Sequence, residues 1–309
     1  MKFNLIGKRY LYFLISLIVI IPGIIGLILW GLPLSIDFTG GSMLEVKFES
    51  GKLPEPAQVI ALYEDMGFKD ARVQTTSDSS LIIRTRDMDG ETNTKIVNEM
   101  QSRFSDTLTI LRFDSVGPSI GKEVTTSAAI AVALAAIGIL IYIWFAFRKI
   151  PNSHRYGIAA ITAMLHDVLV VLGVQTFLSH FLGWEFDSLF LTALLTVIGF
   201  SVHDSIVVFD RVRENSGIYR RLPFEQVVNH SIIQTLDRSI NTTLTVLLTL
   251  FALALFGGVT IRHFVIILLV GIFSGAYSSI FNAAPILVVW ENREWNQWFK
   301  GKDNTVTNA

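Results

Sequence analysis

Cysteine is missing from all 309 residues. That excludes disulfides, thiolate metal sites and a cysteine nucleophile. Charge is scarce as well, with Asp, Glu, Lys and Arg at 17% and a net charge of −1. A balance this close to neutral presents no basic field for nucleic acid, and no nucleic-acid partner is expected. Apolar residues take up the space instead. They make up 51% of the chain with a mean hydropathy of +0.52, above the range of ordinary soluble domains. A polytopic α-helical membrane protein is the class these numbers favour.

Six apolar runs are long enough to cross a hydrocarbon core, which takes about 20 helical residues. They run from Leu11 to Trp30, Ser127 to Phe147, Gly157 to Leu178, Phe186 to Phe209, Ile240 to Phe256 and Phe264 to Trp290. The first follows Lys2, Lys8 and Arg9 but is too long for a signal-peptide core and carries Pro22, Gly23 and Gly26, so it reads as an uncleaved span. Basic residues set the orientation. Arg148, Lys149 and Arg155 lie between spans two and three, and Arg211, Arg213, Arg220, Arg221 and Arg238 lie between or beside spans four and five. The Phe181 to Glu185 connection has no basic residue and the turn after span five has only Arg262. Both termini are expected in the cytoplasm.

The expected organisation is therefore a cytoplasmic start and first span over 1–32, an extracytoplasmic domain over 33–126, spans two to six over 127–290 with a cytoplasmic loop at 210–239, and a cytoplasmic tail over 291–309. In the outer segment, Ser42 to Glu49 alternates as a strand. A helix from Pro56 carries Val59, Ile60, Tyr63 and Met66 and stops at Gly67. Arg72 to Thr76 and Leu81 to Arg86 read as a hairpin around Ser77 to Ser80, Ile96, Val97, Met100 and Phe104 as a second helical face, and Leu108 to Asp114 as a last strand. The order β-α-β-β-α-β is that of a small ferredoxin-like α+β domain. It shows no acid–base pair, metal-ligand cluster or phosphate loop, so contact with a partner or a polypeptide suits it better than catalysis. In the cytoplasmic loop, Pro223 starts a short amphipathic helix with Phe224, Val227, Val228 and Ile232 on its apolar face, a pattern that packing explains.

The polar residues of the spans carry what chemistry there is. An ionised Asp at the centre of a membrane helix costs about 2.5–3.5 kcal/mol on insertion scales. Asp167 lies near the middle of span three beside His166, and Asp204 in the cytoplasmic half of span four beside His203. Arg238 starts span five at a depth comparable to Asp204. With Asn241, Thr242 and Thr245 it follows i, i+3, i+4, i+7, one helical face. Gly275, Ser278, Ser279 and Asn282 repeat that spacing in span six, a small polar face suited to close helix packing. Asp204 and Arg238 form either a static buried pair or one that breaks and reforms as Asp204 gains and loses a proton. Arg keeps its proton, so only the Asp is a carrier. Asp167 is a relay member or a hydrogen-bonded packing residue. The two histidines read as packing residues that do not face their neighbouring aspartates.

Several motifs in order resemble the SecF family of Sec protein-export subunits, in the resistance–nodulation–division superfamily. Ile36-Asp37-Phe38-Thr39-Gly40-Gly41 is similar to its sequence after the first helix, with Ser35 standing where the family commonly has Gly. Val116-Gly117-Pro118 with Gly121 and Glu123 resembles its motif before the second helix. His166-Asp167 matches a motif in the third helix. The run His203-Asp204-Ser205-Ile206-Val207-Val208-Phe209-Asp210-Arg211-Val212-Arg213-Glu214-Asn215 is close to the signature leaving the fourth, and Thr235-Leu236-Asp237-Arg238 with Ser239-Ile240-Asn241-Thr242 resembles the start of the fifth.

The resemblance implies an auxiliary, non-enzymatic subunit in the cell (inner) membrane. It would work with SecD, near the SecYEG channel and SecA, and use the proton-motive force to promote export of a translocating polypeptide. No cofactor is implied. The coupling ion is expected to be H⁺, and a carboxylate with hydroxyls nearby suits Na⁺ too. Carried over by position, Asp204, Arg238 and Asp167 form the proton pathway and Asn241, Thr242 and Thr245 a supporting polar face. Asp37, Gly40, Gly41, Gly117 and Pro118 flank the outer domain; Asp37 reads first as a turn-capping carboxylate, and the glycine pair permits a tight turn. A half-size proton-coupled pump for small molecules or lipids would call for a larger outer domain. An intramembrane aspartyl protease would call for Tyr-Asp and Gly-x-Gly-Asp contexts, whereas Leu165-His166-Asp167 and Val202-His203-Asp204 stand here.

Overall fold

The computed structural model describes residues 4–75, 80–148 and 152–295. Lys149, most of the expected hairpin turn (Ser77 to Ser79) and the tail beyond 295 lie outside the described residues. The chain divides into two compact units. One holds Met1–Leu32, Val132–Trp184 and Leu189–Ala309, and the other Pro33–Ala131 and Glu185–Ser188.

The smaller unit is built on four antiparallel strands. β1 (Gly41–Phe48), α3 (Pro56–Asp65), β2 (Arg72–Thr75), β3 (Ser80–Thr85), α4 (Gly90–Phe104) and β4 (Leu108–Val116) follow in chain order after the short α2 (Ile36–Thr39). The sheet order is β2-β3-β1-β4, and Leu44 opposite both Ile83 and Phe113 fixes the register of the central strand. Alternation on β1 buries Leu44, Val46 and Phe48 against Val59, Leu62 and Tyr63 of α3 and Ile96 and Met100 of α4. Pro56 is the first residue of α3, where its missing N–H costs nothing. Asp89 caps α4 by accepting from the Thr92 amide at 2.8 Å.

The turn before β1 explains its residues one by one. Ser35 Oγ accepts from the Asp37 amide at 3.2 Å and so caps α2, work that a glycine there could not do. Gly41 has φ of 124°, and a Cβ on it would come within 2.7 Å of the Thr85 carbonyl oxygen, so only glycine closes this turn onto β3. The Asp37 carboxylate is thereby left for a distant partner. Its Oδ2 accepts from the amide of Ser188 at 3.0 Å, the first residue of α7 (Ser188–Ile218). The connection from Glu185 to Ser188 is held alongside. Ser35 N donates to Phe186 O at 3.0 Å, Phe186 N donates to Pro33 O at 2.8 Å, and Glu185 pairs with Arg84 Nε at 2.7 Å.

The larger unit is helical. A 3₁₀ turn (Ile6–Lys8) leads into α1 (Arg9–Trp30). The second half of α5 (Pro118–Phe147), α6 (Ser153–Leu182), α7, α8 (Phe224–Phe256) and α9 (Val259–Ser278) follow, and a π turn (Ser279–Ala283) joins α9 to α10 (Ala284–Glu291). Six of these helical stretches are long and apolar enough to span a membrane. α1 and α6 touch backbone to backbone, because a Cβ on either Gly23 or Gly173 would meet the other's Cα at 2.8 Å.

Helix extends beyond the apolar runs in two places. Helix begins at Pro118, not at Ser127, since proline at a first helical position starts the helix well outside the hydrophobic run. The stretch 210–239 is not a loop. α7 continues to Ile218, α8 starts at Phe224 and runs unbroken to Phe256, and no separate interfacial helix forms. Ion pairs between Arg213 and Asp210 and between Arg211 and Glu214 line the outer side of α7. Phe209, Val212 and Asn215 stay buried on its inner side, and Val228 and Ile232 of α8 join the same core. The periodicity thus continues past the point where hydropathy drops.

Two measurements check these packings. Replacing Gly173 by leucine should lower stability by about 1–3 kcal/mol through overpacking at the α1–α6 crossing, read as a lower midpoint in denaturation of the detergent-solubilised protein. Glu185 supplies a pH test. Burial raises its pKa, partly offset by Arg84, with Asp187 and Asp37 adding to the rise. A carboxyl raised in the folded state contributes stability that is present at low pH and lost as pH rises through its folded value. Glu185→Gln should therefore gain melting temperature relative to wild type as pH goes from about 4 to about 7.

Candidate functional site: two carboxylates within the helical unit

Asp167, on α6, is fully buried. Its Oδ1 accepts from Ser274 Oγ at 2.6 Å and lies 2.9 Å from His166 Nδ1. Its Oδ2 accepts from Ser201 Oγ and Ser278 Oγ, both at 2.6 Å. The donors come from α7 and α9, so one carboxylate ties three helices together. Small residues make the approach possible; a Cβ on Gly275 would already lie 3.4 Å from Ser201. Hydrogen bonds of this kind to a charged group contribute about 1.5–3 kcal/mol each, enough together to offset the burial of a carboxylate.

Asp204, on α7, is half-buried. Its Oδ1 accepts from Ser239 Oγ of α8 at 3.1 Å and its Oδ2 from Ser279 Oγ of the π turn at 2.5 Å. The sequence suggested Arg238 as its partner, and the structure places Ser239 there instead. Among the described residues Asp204 forms no ion pair, and the residue that reaches it is the neighbour of Arg238. Successive helical residues point about 100° apart. Ser239 is buried, whereas Arg238, Asn241, Thr242 and Thr245 form an exposed face pointing away from Asp204. Along it Asn241 Nδ2 donates to Asp237 Oδ1 at 3.4 Å and Thr245 Oγ1 to the Thr242 carbonyl at 2.8 Å.

The histidines differ from each other. His203 is exposed. His166 does contact its neighbour Asp167, against the expectation that adjacent helical side chains diverge, because Nδ1 is the ring nitrogen nearest the backbone and needs little reach. Its Nε2 is buried and has no hydrogen-bond partner among the described residues. Of the serines around the two carboxylates, Ser278 and Ser279 read in the sequence as packing residues and Ser239 only as part of the motif opening span five, while Ser201 and Ser274 carry no motif. The usable signal was their recurrence on the helices facing each Asp. Asn282, grouped with the span-six pair, bonds Ser16 of α1 at 2.9 Å. Of the domain-flanking motifs, Gly40 packs over Pro118, where a Cβ would lie 3.0 Å from its Cα, and Gly117 O accepts from Gly121 N in the first turn of α5.

Residues 96–293 match the family described as "Protein export membrane protein SecD/SecF, C-terminal", and residues 31–52 match the "SecD/SecF GG Motif". The chain belongs to the SecD/SecF family. It is 60% identical over 298 residues to the protein translocase subunit SecF of Anaerolinea thermophila, covering 96% of this chain and 97% of that one. With the SecF of Thermobaculum terrenum it shares 47% over 307 residues, 96% of each. It is also similar to the crystal structure of SecDF from Thermus thermophilus, described as a translocon-associated membrane protein. There the TM-score is 0.80 at 34% identity, over 95% of this chain and 39% of that longer one.

The contacts at Asp204 separate a structural ion pair from a hydroxyl-held carboxylate. Arg238→Ala should change stability by no more than about 0.5 kcal/mol, as expected of an exposed residue. Ser274→Ala should cost about 1.5–3 kcal/mol by removing a donor from buried Asp167. Reversible unfolding in mixed micelles measures both, and a large loss in the Arg238 variant would restore the ion pair.

Proposed function

We propose that this chain is an auxiliary subunit of the Sec translocase, working with a SecD partner to couple the proton-motive force to protein export. The observation that carries the reading is Asp204, a half-buried carboxylate on a membrane-spanning helix, held by two hydroxyls and by no cation of its own chain among the described residues. Hydroxyls bond to either protonation state, since they donate to a carboxylate and accept from a carboxylic acid. An intramembrane carboxylate so placed suits a relay, with Asp167 as an inner member and H⁺ as the coupling ion.

The outward polar face of Arg238, Asn241, Thr242 and Thr245 supports a partner within the membrane, because lipid leaves such groups unsatisfied. The fused SecDF relative makes a SecD half the fitting candidate. A guanidinium delivered by this face to a carboxylate of the partner would complete the pathway in the assembled pair. Basic residues in the connections favour both termini in the cytoplasm and the cell (inner) membrane as the site. The ferredoxin-like unit then faces outward to meet the translocating polypeptide, near the SecYEG channel and SecA, and Asp37, Gly40, Gly41, Gly117 and Pro118 form its flanking hinges.

The test follows export of a secreted protein in membrane vesicles, with the gradient intact or collapsed. Asp204→Asn should abolish the gradient-dependent part of export and leave the gradient-independent part, and Arg238→Ala should do the same although it does not touch Asp204. Full gradient stimulation in the Asn variant would refute the carrier role.

A further inference from the structure

Ser278 and Ser279 are consecutive, yet their hydroxyls serve carboxylates on two different helices, Asp167 of α6 and Asp204 of α7. They meet where α9 gives way to the π turn Ser279–Ala283. Such single π turns inside α-helices recur at functional sites. Each hydroxyl also has a second acceptor within reach. Ser279 Oγ lies 2.5 Å from Asp204 Oδ2 and 3.1 Å from the Ala276 carbonyl. Ser278 Oγ lies 2.6 Å from Asp167 Oδ2 and 3.2 Å from the Gly275 carbonyl. A serine has one hydrogen to donate, so each must choose between a carboxylate and a backbone oxygen, and the two backbone oxygens also belong to successive residues.

We propose that Ser278 and Ser279 form a two-position hydroxyl switch that links protonation of Asp204 to the bonding of Asp167. The idea rests on Asp204 as the proton carrier and adds positioning residues to that site. While Asp204 is ionised, Ser279 gives its hydrogen to Oδ2. When a proton arrives on Oδ2, the carboxyl O–H donates to Ser279 Oγ, and the Ser279 hydrogen turns to the Ala276 carbonyl. No hydrogen is lost from the pair: one enters on Asp204 and one swings. The new bond draws on the peptide next to the Gly275 carbonyl, at the wide turn where the helix accommodates a register change, and Ser278 loosens from Asp167 in turn. Asp167 keeps Ser201, Ser274 and His166 throughout, so its fold-holding role survives while its bonding reports the state of Asp204.

The groups around the switch are few. α7 offers His203 next to Asp204, exposed, and α6 offers Asp167 and His166. α8 offers Asp237 and Arg238, both exposed, beside the contacting Ser239. α9 offers Tyr277, whose hydroxyl donates to the Tyr12 carbonyl at 2.9 Å. Among the described residues none of these forms an ion pair with Asp204, which leaves Ser239 and Ser279 as its hydroxyl contacts.

Acid-minus-neutral infrared difference spectra of the full chain in lipid vesicles, with carboxyl-labelled aspartate, test the link. The wild type should show a protonated-carboxyl band that Asp204→Asn removes, together with a shift of a second carboxylate that Asp167→Asn removes. Ser278→Ala should keep the first band and lose the second signal. Ser279→Ala should do likewise and stands in if the first variant does not accumulate, while Ser278→Thr, which retains a hydroxyl, should keep both. Persistence of the Asp167 signal in both alanine variants, or an Asp167→Asn spectrum identical to wild type, overturns the switch. Export assays separate the two ideas. Normal gradient-driven export in Asp204→Asn, with the spectral link present in the wild-type chain, refutes the carrier role alone, and defective export in that variant with no link in the wild-type chain refutes the switch alone.

Discussion

The helical unit depends on how it accommodates one buried carboxyl group. Asp167 has no exposed surface, and its two oxygens accept from three serines on α7 and α9 beside the histidine next to it in sequence. Removing an ion from water costs several kcal/mol even after relaxation, and lipid supplies no donors. The carboxylate is therefore stable only where those helices meet. That condition fixes their approach, and the approach requires small residues. Gly275 against Ser201, and Gly23 against Gly173 on the other side of α6, are the crossings that satisfy it.

Asp204 is the contrasting case. It has two serine donors where Asp167 has three, partial exposure and contact with α8 and the π turn. Asp167 is enclosed by four contacts from its own and two neighbouring helices, whereas Asp204 is reached by two hydroxyls. The same residue type, in the same class of helix, thus occupies two different settings according to how many donors the neighbouring helices present.

Much of this was legible in the sequence because it follows from period and length. The apolar runs located six spans, and period-two and period-3.6 patterns located the strands and helices of the smaller unit. What the sequence hid follows from geometry finer than those periods. Whether Arg238 or Ser239 meets Asp204 is a single 100° step, below what a polar stripe resolves. The π turn shifts the register after Ser278, so a regular template groups Ser278, Ser279 and Asn282 on one face although they reach three different helices. The charged run from Asp210 to Glu214 looks like the end of a helix because hydropathy reports bilayer thickness; its i, i+3 ion pairs show that the helix itself continues.

The Asp37 contact also determines how α7 starts. By accepting from the Ser188 amide, it fastens the first turn of α7 to the segment that opens the smaller unit. α7 is one uninterrupted helix from Ser188 to Ile218, and at 1.5 Å per residue its capped end lies about 24 Å along the axis from Asp204. The first amide of the helix is thus satisfied by a carboxylate 151 positions earlier in the chain.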